Sequence, residues 1–352
     1  MRLGGVVVRY QGVWSSILTM KEEEIEMKKR IGILFLIAIC LGVTFGAVQV
    51  FAAAKVLKLA EVHPKGYPTE MGDQKFSELF EKMTQGRYKI QVYGNSQLGS
   101  ENDVVEQAKL GVIEFVRVST SPAISVFPQI GVFSMPYLFR SQDHMWNVLN
   151  GPVGQHFLAA MESVGIVGVG YFDPGSRNFY TTKPLKRVAD LKGLKIRVQP
   201  NPIMVNLVKL LGATPTPINY AEVYSALQTG VVDGAENNVP SWVSQNHYEV
   251  AKNFIKDAHA RLPELLMVSK KFWDTLNAAD KQALKDAAKE ATAFQILAWN
   301  KAEEDYLAQA KKKGCIVSEA NIAEFQKAVA PLYTKPEYAS YKPWVDKINA
   351  TK

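Results

Sequence analysis

Between Asn277 and Lys313 the chain runs without a proline or glycine and is rich in alanine and lysine. Asn277 can cap a helix start, and Asp280 lies early, where a carboxylate suits the positive end of the helix dipole. Lys311-Lys312-Lys313-Gly314 supplies basic side chains and then a glycine stop. The spacing predicts one helix of roughly 55 Å at 1.5 Å rise per residue. That is longer than one lobe of a chain this size, so the helix is expected to cross two. Two helices kinked near Trp299 are the alternative.

The rest of the chain has the rhythm such a helix would bridge. Val56–Val62 predicts a strand, broken by His63-Pro64-Lys65-Gly66. Met71, Phe76, Leu79, Phe80 and Met83 recur at the helical period across Thr69–Gln85. A strand over Tyr88–Tyr93, a helix over Glu101–Leu110 and a strand over Ile113–Val118 follow. A second block repeats the pattern, with strands at Val164–Phe172, Lys195–Val198 and Thr214–Pro217. Its helices fall at Asn201–Leu211 and Tyr220–Gln228, and Gly230–Asn237 reads as a turn or another strand. Strands alternating with helices of this length predict an α/β fold with mostly parallel sheets. The 352 residues suit two such lobes. Gly165, Gly168 and Gly170 imitate a dinucleotide loop, but their order is GxxGxG within an apolar run, which fits a buried strand.

The N-terminus points out of the cytoplasm. Lys28, Lys29 and Arg30 precede an uncharged apolar stretch, Ile31–Val48, and Ala52-Ala53-Ala54 has the small-x-small form of a secretory cleavage site. A membrane anchor is the alternative, because the stretch approaches spanning length. Cys40 is a poor lipidation site, since Ile39 precedes it. Met27 is the expected true start, and cleavage after Ala54 is expected. The removed segment holds six basic and four acidic residues, so the chain's formal charge of +7 falls to +5 and only Cys315 is left of its two cysteines. No run of five basic residues occurs, which argues against a nucleic-acid partner. The five histidines form no close i, i+4 pair, and HExxH, GxSxG and GxxxxGK[ST] are all missing. No metal, cofactor or catalytic residue is expected.

Five ordered motifs then carry a likeness: Gln97-Leu98-Gly99, Phe133-Ser134-Met135-Pro136-Tyr137-Leu138-Phe139, Asp190 through Val198, Glu222 through Gly230, and Val232-Asp233-Gly234-Ala235-Glu236-Asn237. From Lys55 onward the chain resembles the DctP-type solute receptors of TRAP transporters, tripartite ATP-independent periplasmic carriers. The resemblance implies a periplasmic-binding-protein-like α/β fold: two lobes around a cleft, a hinge, and a long helix bridging both. It also implies an exported periplasmic monomer that is not an enzyme and uses no cofactor. Such a receptor hands an organic acid to small and large membrane permease subunits for uptake driven by an ion gradient. The expected division is a leader at 1–54, one lobe at 55–174 plus 263–302, and the other at 175–262 plus 303–352.

Arg197 lies between Ile196 and Val198 in a short apolar strand. A buried guanidinium needs a partner, either a protein carboxylate or a ligand's, and its planar fork matches a carboxylate with two parallel bonds. The resemblance assigns it the ligand's carboxylate. Asn237 offers an amide without a second charge, or else simply forms a turn; the resemblance gives it a ligand role. Asn238 stands where many relatives have proline and is a further candidate. The resemblance also draws in Arg177, near the expected hinge, the ring of Tyr220, and the polar Glu101 and Ser119 on the other lobe. His63, at the end of the first strand, is a candidate with a structural alternative. Arg117 interrupts a strand without an account, and Trp242 either lines the pocket or packs a helix. Ile196-Arg197-Val198-Gln199, Glu236-Asn237-Asn238 and His247 through Lys252 resemble the branch that takes sugar acids such as uronates. A C4-dicarboxylate or another short acid is the alternative, and an exported acid–base enzyme using Glu101, Glu236 and a histidine is a more distant one.

Overall fold

The computed structural model describes residues 19–36 and 53–352, which fall into two units, 1–53 and 54–352. Residues 19–36 form an exposed helix. The rest of the apolar leader, 37–52 with Cys40, lies outside the described residues.

Eleven strands form two sheets: β1 (Lys55–Ala60), β2 (Tyr88–Tyr93), β3 (Phe115–Ser119), β4 (Ile166–Phe172), β5 (Arg177–Thr181), β6 (Lys195–Val198), β7 (Thr214–Pro217), β8 (Gly234–Asn237), β9 (Asn253–Ala260), β10 (Glu264–Ser269) and β11 (Ile316–Glu319). The first sheet has the order β2-β1-β3-β10-β4 and the second β11-β9-β5-β8-β6-β7. Both are mostly parallel. Each contains one strand antiparallel to its neighbours, β10 in the first sheet and β5 in the second. These strands mark where the chain changes sheets, through residues 173–176 between β4 and β5, and 261–263 between β9 and β10. Because β10 pairs with β4 and β5 with β9, the two crossings run side by side in opposite directions as a ribbon hinge.

The helices that matter for the site are α1 (Pro68–Met83), α2 (Glu101–Leu110), α3 (Pro202–Leu210), α4 (Val239–Ser244) and α5 (Ala278–Lys312). The long helix α5 is continuous for 35 residues, and the Asn277 side chain accepts from the Asp280 N–H at its start, as the sequence anticipates. It packs against α1 and β4 on the first lobe and α4 on the second. Gly72 of α1 permits the close approach, since a Cβ there would lie 2.9 Å from Gln295 Cγ. At the far end Ala310 shares the second lobe's core with Tyr180 and Trp242. Trp242 is a packing residue whose indole N–H donates to the Ala251 carbonyl at 2.8 Å. The chain end returns to the first lobe: Leu332, Tyr338, Val345 and Ile348 join the core of Phe133, Met145 and Phe157.

Candidate functional site

A cavity of about 240 Å³ lies between the lobes. Val62, Glu101 and Asn102 contribute to its first-lobe wall, and Arg197, Gln199 and Tyr220 to the wall opposite. Its size is below the roughly 300–1,000 Å³ typical of pockets for drug-sized ligands and suits a short molecule.

Strand β6, held between β7 and β8, carries Arg197 into this cleft. The side chain is 1% exposed, and its Nε donates to the Ile218 carbonyl at 2.8 Å. Its Nη1 is buried and meets no hydrogen-bond partner among the described residues. Burial lowers its pKa below the usual arginine value, only partly offset by Glu236. A cation this poorly compensated calls for an anion.

The other buried arginines are already paired. Arg177 ion-pairs with Glu236, donating through Nε, and through Nη2 to Oε1 at 2.9 Å; its Nη1 donates to Asn237 Oδ1 at 2.9 Å. In this structure an internal carboxylate thus holds the guanidinium that the resemblance draws toward a ligand. Asn237 Oδ1 also accepts from the Asn238 N–H at 2.9 Å, which turns the amide nitrogen away from both donors. Asn238 is occupied as well: its Oδ1 caps α4 through the Ser241 N–H at 2.8 Å, and its Nδ2 donates to the hinge carbonyl of Pro174 at 3.2 Å.

Arg117, without an account in the sequence, is the centre of a buried network behind the first-lobe wall. It pairs with Glu61 and Glu264, and its Nη1 lies 3.6 Å from Glu101. Burial would raise the pKa of Glu61, but Arg117 and His63 outweigh it and hold the carboxyl far below its ordinary range. Glu264 is pushed up to about 7, chiefly by burial. His63 belongs to this network: its Nδ1 lies 2.8 Å from Glu61 Oε1, and its ring stacks on Tyr67 at 3.8 Å. Glu101 reaches the cavity wall, and its Oε1 accepts from the Ser119 N–H at 2.8 Å. Ser119 therefore touches Glu101 from behind and caps a short turn through the Ser121 N–H. Tyr220 lines the cavity with its ring edge-on to His63, centroids 4.8 Å apart. Gln199 and Asn102 line it too, and the sequence reading did not single them out. The available signal for Gln199 was the two-residue period of a strand, which places it on the same face as Arg197.

Two α/β lobes, a ribbon hinge, a bridging helix and an uncompensated cation in the cleft define a hinged receptor for a small anion. The chain belongs to the bacterial extracellular solute-binding protein family 7 (DctP), which matches residues 59–339. It is similar to a TRAP periplasmic solute-binding protein of Xanthobacter autotrophicus PY2 with bound β-D-galacturonate. The two are 40% identical, with a TM-score of 0.81 over 84% of this chain and 100% of that one. A TRAP protein of Pseudomonas putida F1 with bound D-glucuronate is 34% identical, with a TM-score of 0.82 over 85% and 98%. The C4-dicarboxylate-binding periplasmic protein DctP of Rhodobacter capsulatus is 34% identical over 70% of this chain and 75% of its own. The chain is thus a solute receptor of the TRAP type, in a family that serves transport rather than catalysis. The family is periplasmic, and no helix among the described residues is long and apolar enough to cross a membrane.

Proposed function

We propose that this receptor captures a sugar acid, a uronate in the first instance, in the periplasm and passes it to TRAP membrane permease subunits. The observation that carries this reading is the buried, unpartnered Nη1 of Arg197 in a cavity between two lobes. A carboxylate entering there gains a charge-assisted hydrogen bond, and closure removes water and strengthens the pairing. Arg197 is the proposed anchor, with the Asn237 amide, the Tyr220 ring and Glu101 as its proposed companions in shaping the cleft. Arg177 holds Asn237, Ser119 holds Glu101, and His63 and Asn238 support the walls. Ligand-bearing relatives that carry galacturonate and glucuronate favour a uronate over a C4-dicarboxylate.

We also propose export through the N-terminal leader with cleavage after Ala54, and lobes divided at the two crossings, with the tail beyond about residue 330 covering the first. The test uses protein recovered from the periplasm, its N-terminus read by mass spectrometry and its binding by calorimetry. The expected chain begins at Lys55 and binds glucuronate or galacturonate. Arg197→Ala is expected to lose roughly 2–5 kcal/mol of binding, or about 30-fold to several thousand-fold in affinity. Near-normal affinity in that folded variant would remove Arg197 as the anchor.

A further inference from the structure

Eleven buried side-chain atoms lack a hydrogen-bond partner among the described residues, and four of them belong to residues lining this one cavity. They are Asn102 Oδ1, Arg197 Nη1, Gln199 Oε1 and Tyr220 Oη. Tyr220 Oη sits near Ser241 and Ser244 but outside hydrogen-bond geometry with either. Buried polar atoms are normally satisfied, and leaving them unpaired is costly, so their concentration here outlines the polar groups of what the cleft takes. Of the three besides Arg197, Gln199 is the most buried, at 7% exposed.

We infer that Gln199 and Asn102 are specificity-determining residues that accept hydrogen bonds from hydroxyl groups, which makes the cleft selective for a polyhydroxylated monocarboxylate. The inference rests on the Arg197 reading above and extends it. Arginine only donates, and an amide oxygen only accepts. A ligand satisfying both types needs an anionic group and at least two O–H donors. Gln199 follows Arg197 by two residues, so both emerge from the same face at the end of β6, while Asn102 faces them from the first turn of α2. An unsubstituted C4-dicarboxylate offers acceptors alone. It would leave both amide oxygens unpaired and bring a second anion toward the acceptor-rich wall that holds Glu101. Rotating an amide would aim a donor inward, but it would still leave the ligand's second carboxylate against the Glu101 side chain on the same wall.

The mature chain is titrated by calorimetry with D-glucuronate, D-galacturonate and succinate. Wild-type protein is expected to bind at least one uronate 100-fold or more tighter than succinate, a comparison that needs no variant. Gln199→Met, similar in length without the amide, is expected to weaken the uronate about 10–100-fold while leaving the thermal midpoint of the unliganded protein unchanged or higher. Asn102→Ala is expected to weaken it in the same direction. Uronate binding within twofold of wild type in Gln199→Met, or a wild-type preference for succinate, overturns the inference and leaves the Arg197 anchor standing. Failure of wild type to bind any of the three acids removes both.

Discussion

Among the described residues three arginines are buried, and only two have an internal carboxylate. The pairings separate residues that hold the fold from the one proposed to meet a ligand. Removing one member of a buried ion pair leaves an uncompensated charge and costs about 3–5 kcal/mol. Arg117→Met is therefore expected to lower the unfolding free energy by roughly that amount, since Glu61 and Glu264 lose their shared cation. Arg197→Met deletes a buried charge with one carbonyl contact and no carboxylate, so stability without ligand is expected to stay within about 1 kcal/mol of wild type or to rise, the usual trade between a strained site and function. Denaturant unfolding of the two variants checks the contrast; a larger loss in Arg197→Met than in Arg117→Met contradicts it. A charged residue between Ile196 and Val198 marked Arg197 as one that needs a partner, but only the family resemblance pointed to a ligand's carboxylate, since Arg117 interrupts a strand in the same way and meets internal carboxylates. The partners of Arg117 and Arg177 were not legible, because Glu61, Glu264 and Glu236 stand 56, 147 and 59 residues away in sequence.

At the level of elements, β5, β8 and β9 share a buried network of charged side chains beside the hinge. Arg177 on β5 pairs with Glu236 on β8. Glu236 Oε2 lies 3.5 Å from His259 Nε2 on β9, and His259 Nδ1 is 2.8 Å from Asp257 Oδ2. Burial alone would lower the His259 pKa, but Asp257 and Glu236 raise it to about 9. A histidine raised in the folded state contributes stability that is complete below its unfolded pKa near 6.5 and is lost as pH climbs through 9. Stability is therefore expected to fall by roughly 2–4 kcal/mol from pH 6.5 to 9. His259→Gln should start lower and lack most of that slope. Chemical denaturation across the range measures it, and an unaltered slope in the variant would show that another group titrates. Sequence periodicity found β1 to β4, β6 and β7, left β8 as a turn or a strand, and missed β5, β9, β10 and β11. β5, β9 and β10 are nearly continuously buried and lack the alternation that betrays a half-exposed strand; β3, equally buried, was found from its place after the helix over Glu101–Leu110. The long helix was legible from end to end, since its cap, composition and stop are all local.

Across the whole molecule, contacts between the lobes hold the cleft shut from two sides. Asn201, at the start of α3 on the second lobe, donates through Nδ2 to Ser121 Oγ at 2.9 Å and Ser134 Oγ at 3.0 Å on the first. On the other side the Tyr67 hydroxyl meets Ser241 Oγ at 2.9 Å and Asn238 Oδ1 at 3.2 Å. Neither serine lines the cavity, so they influence binding only through the balance of open and closed forms. Asn201 is 2% exposed and caps α3 with its oxygen. Replacing both serines by alanine preserves that cap but leaves the amide nitrogen buried and unpaired in the closed form alone. An orphaned buried donor costs about 1–3 kcal/mol, and apparent affinity falls in proportion to the closed fraction. Ser121→Ala with Ser134→Ala is therefore expected to weaken uronate binding about 5- to 150-fold, with faster dissociation in stopped-flow traces. Small-angle scattering of the unliganded variant should give a radius of gyration equal to or above wild type, never below it. Unchanged affinity together with unchanged dissociation would mean that these contacts form without biasing closure, and that the Tyr67 side alone sets the balance.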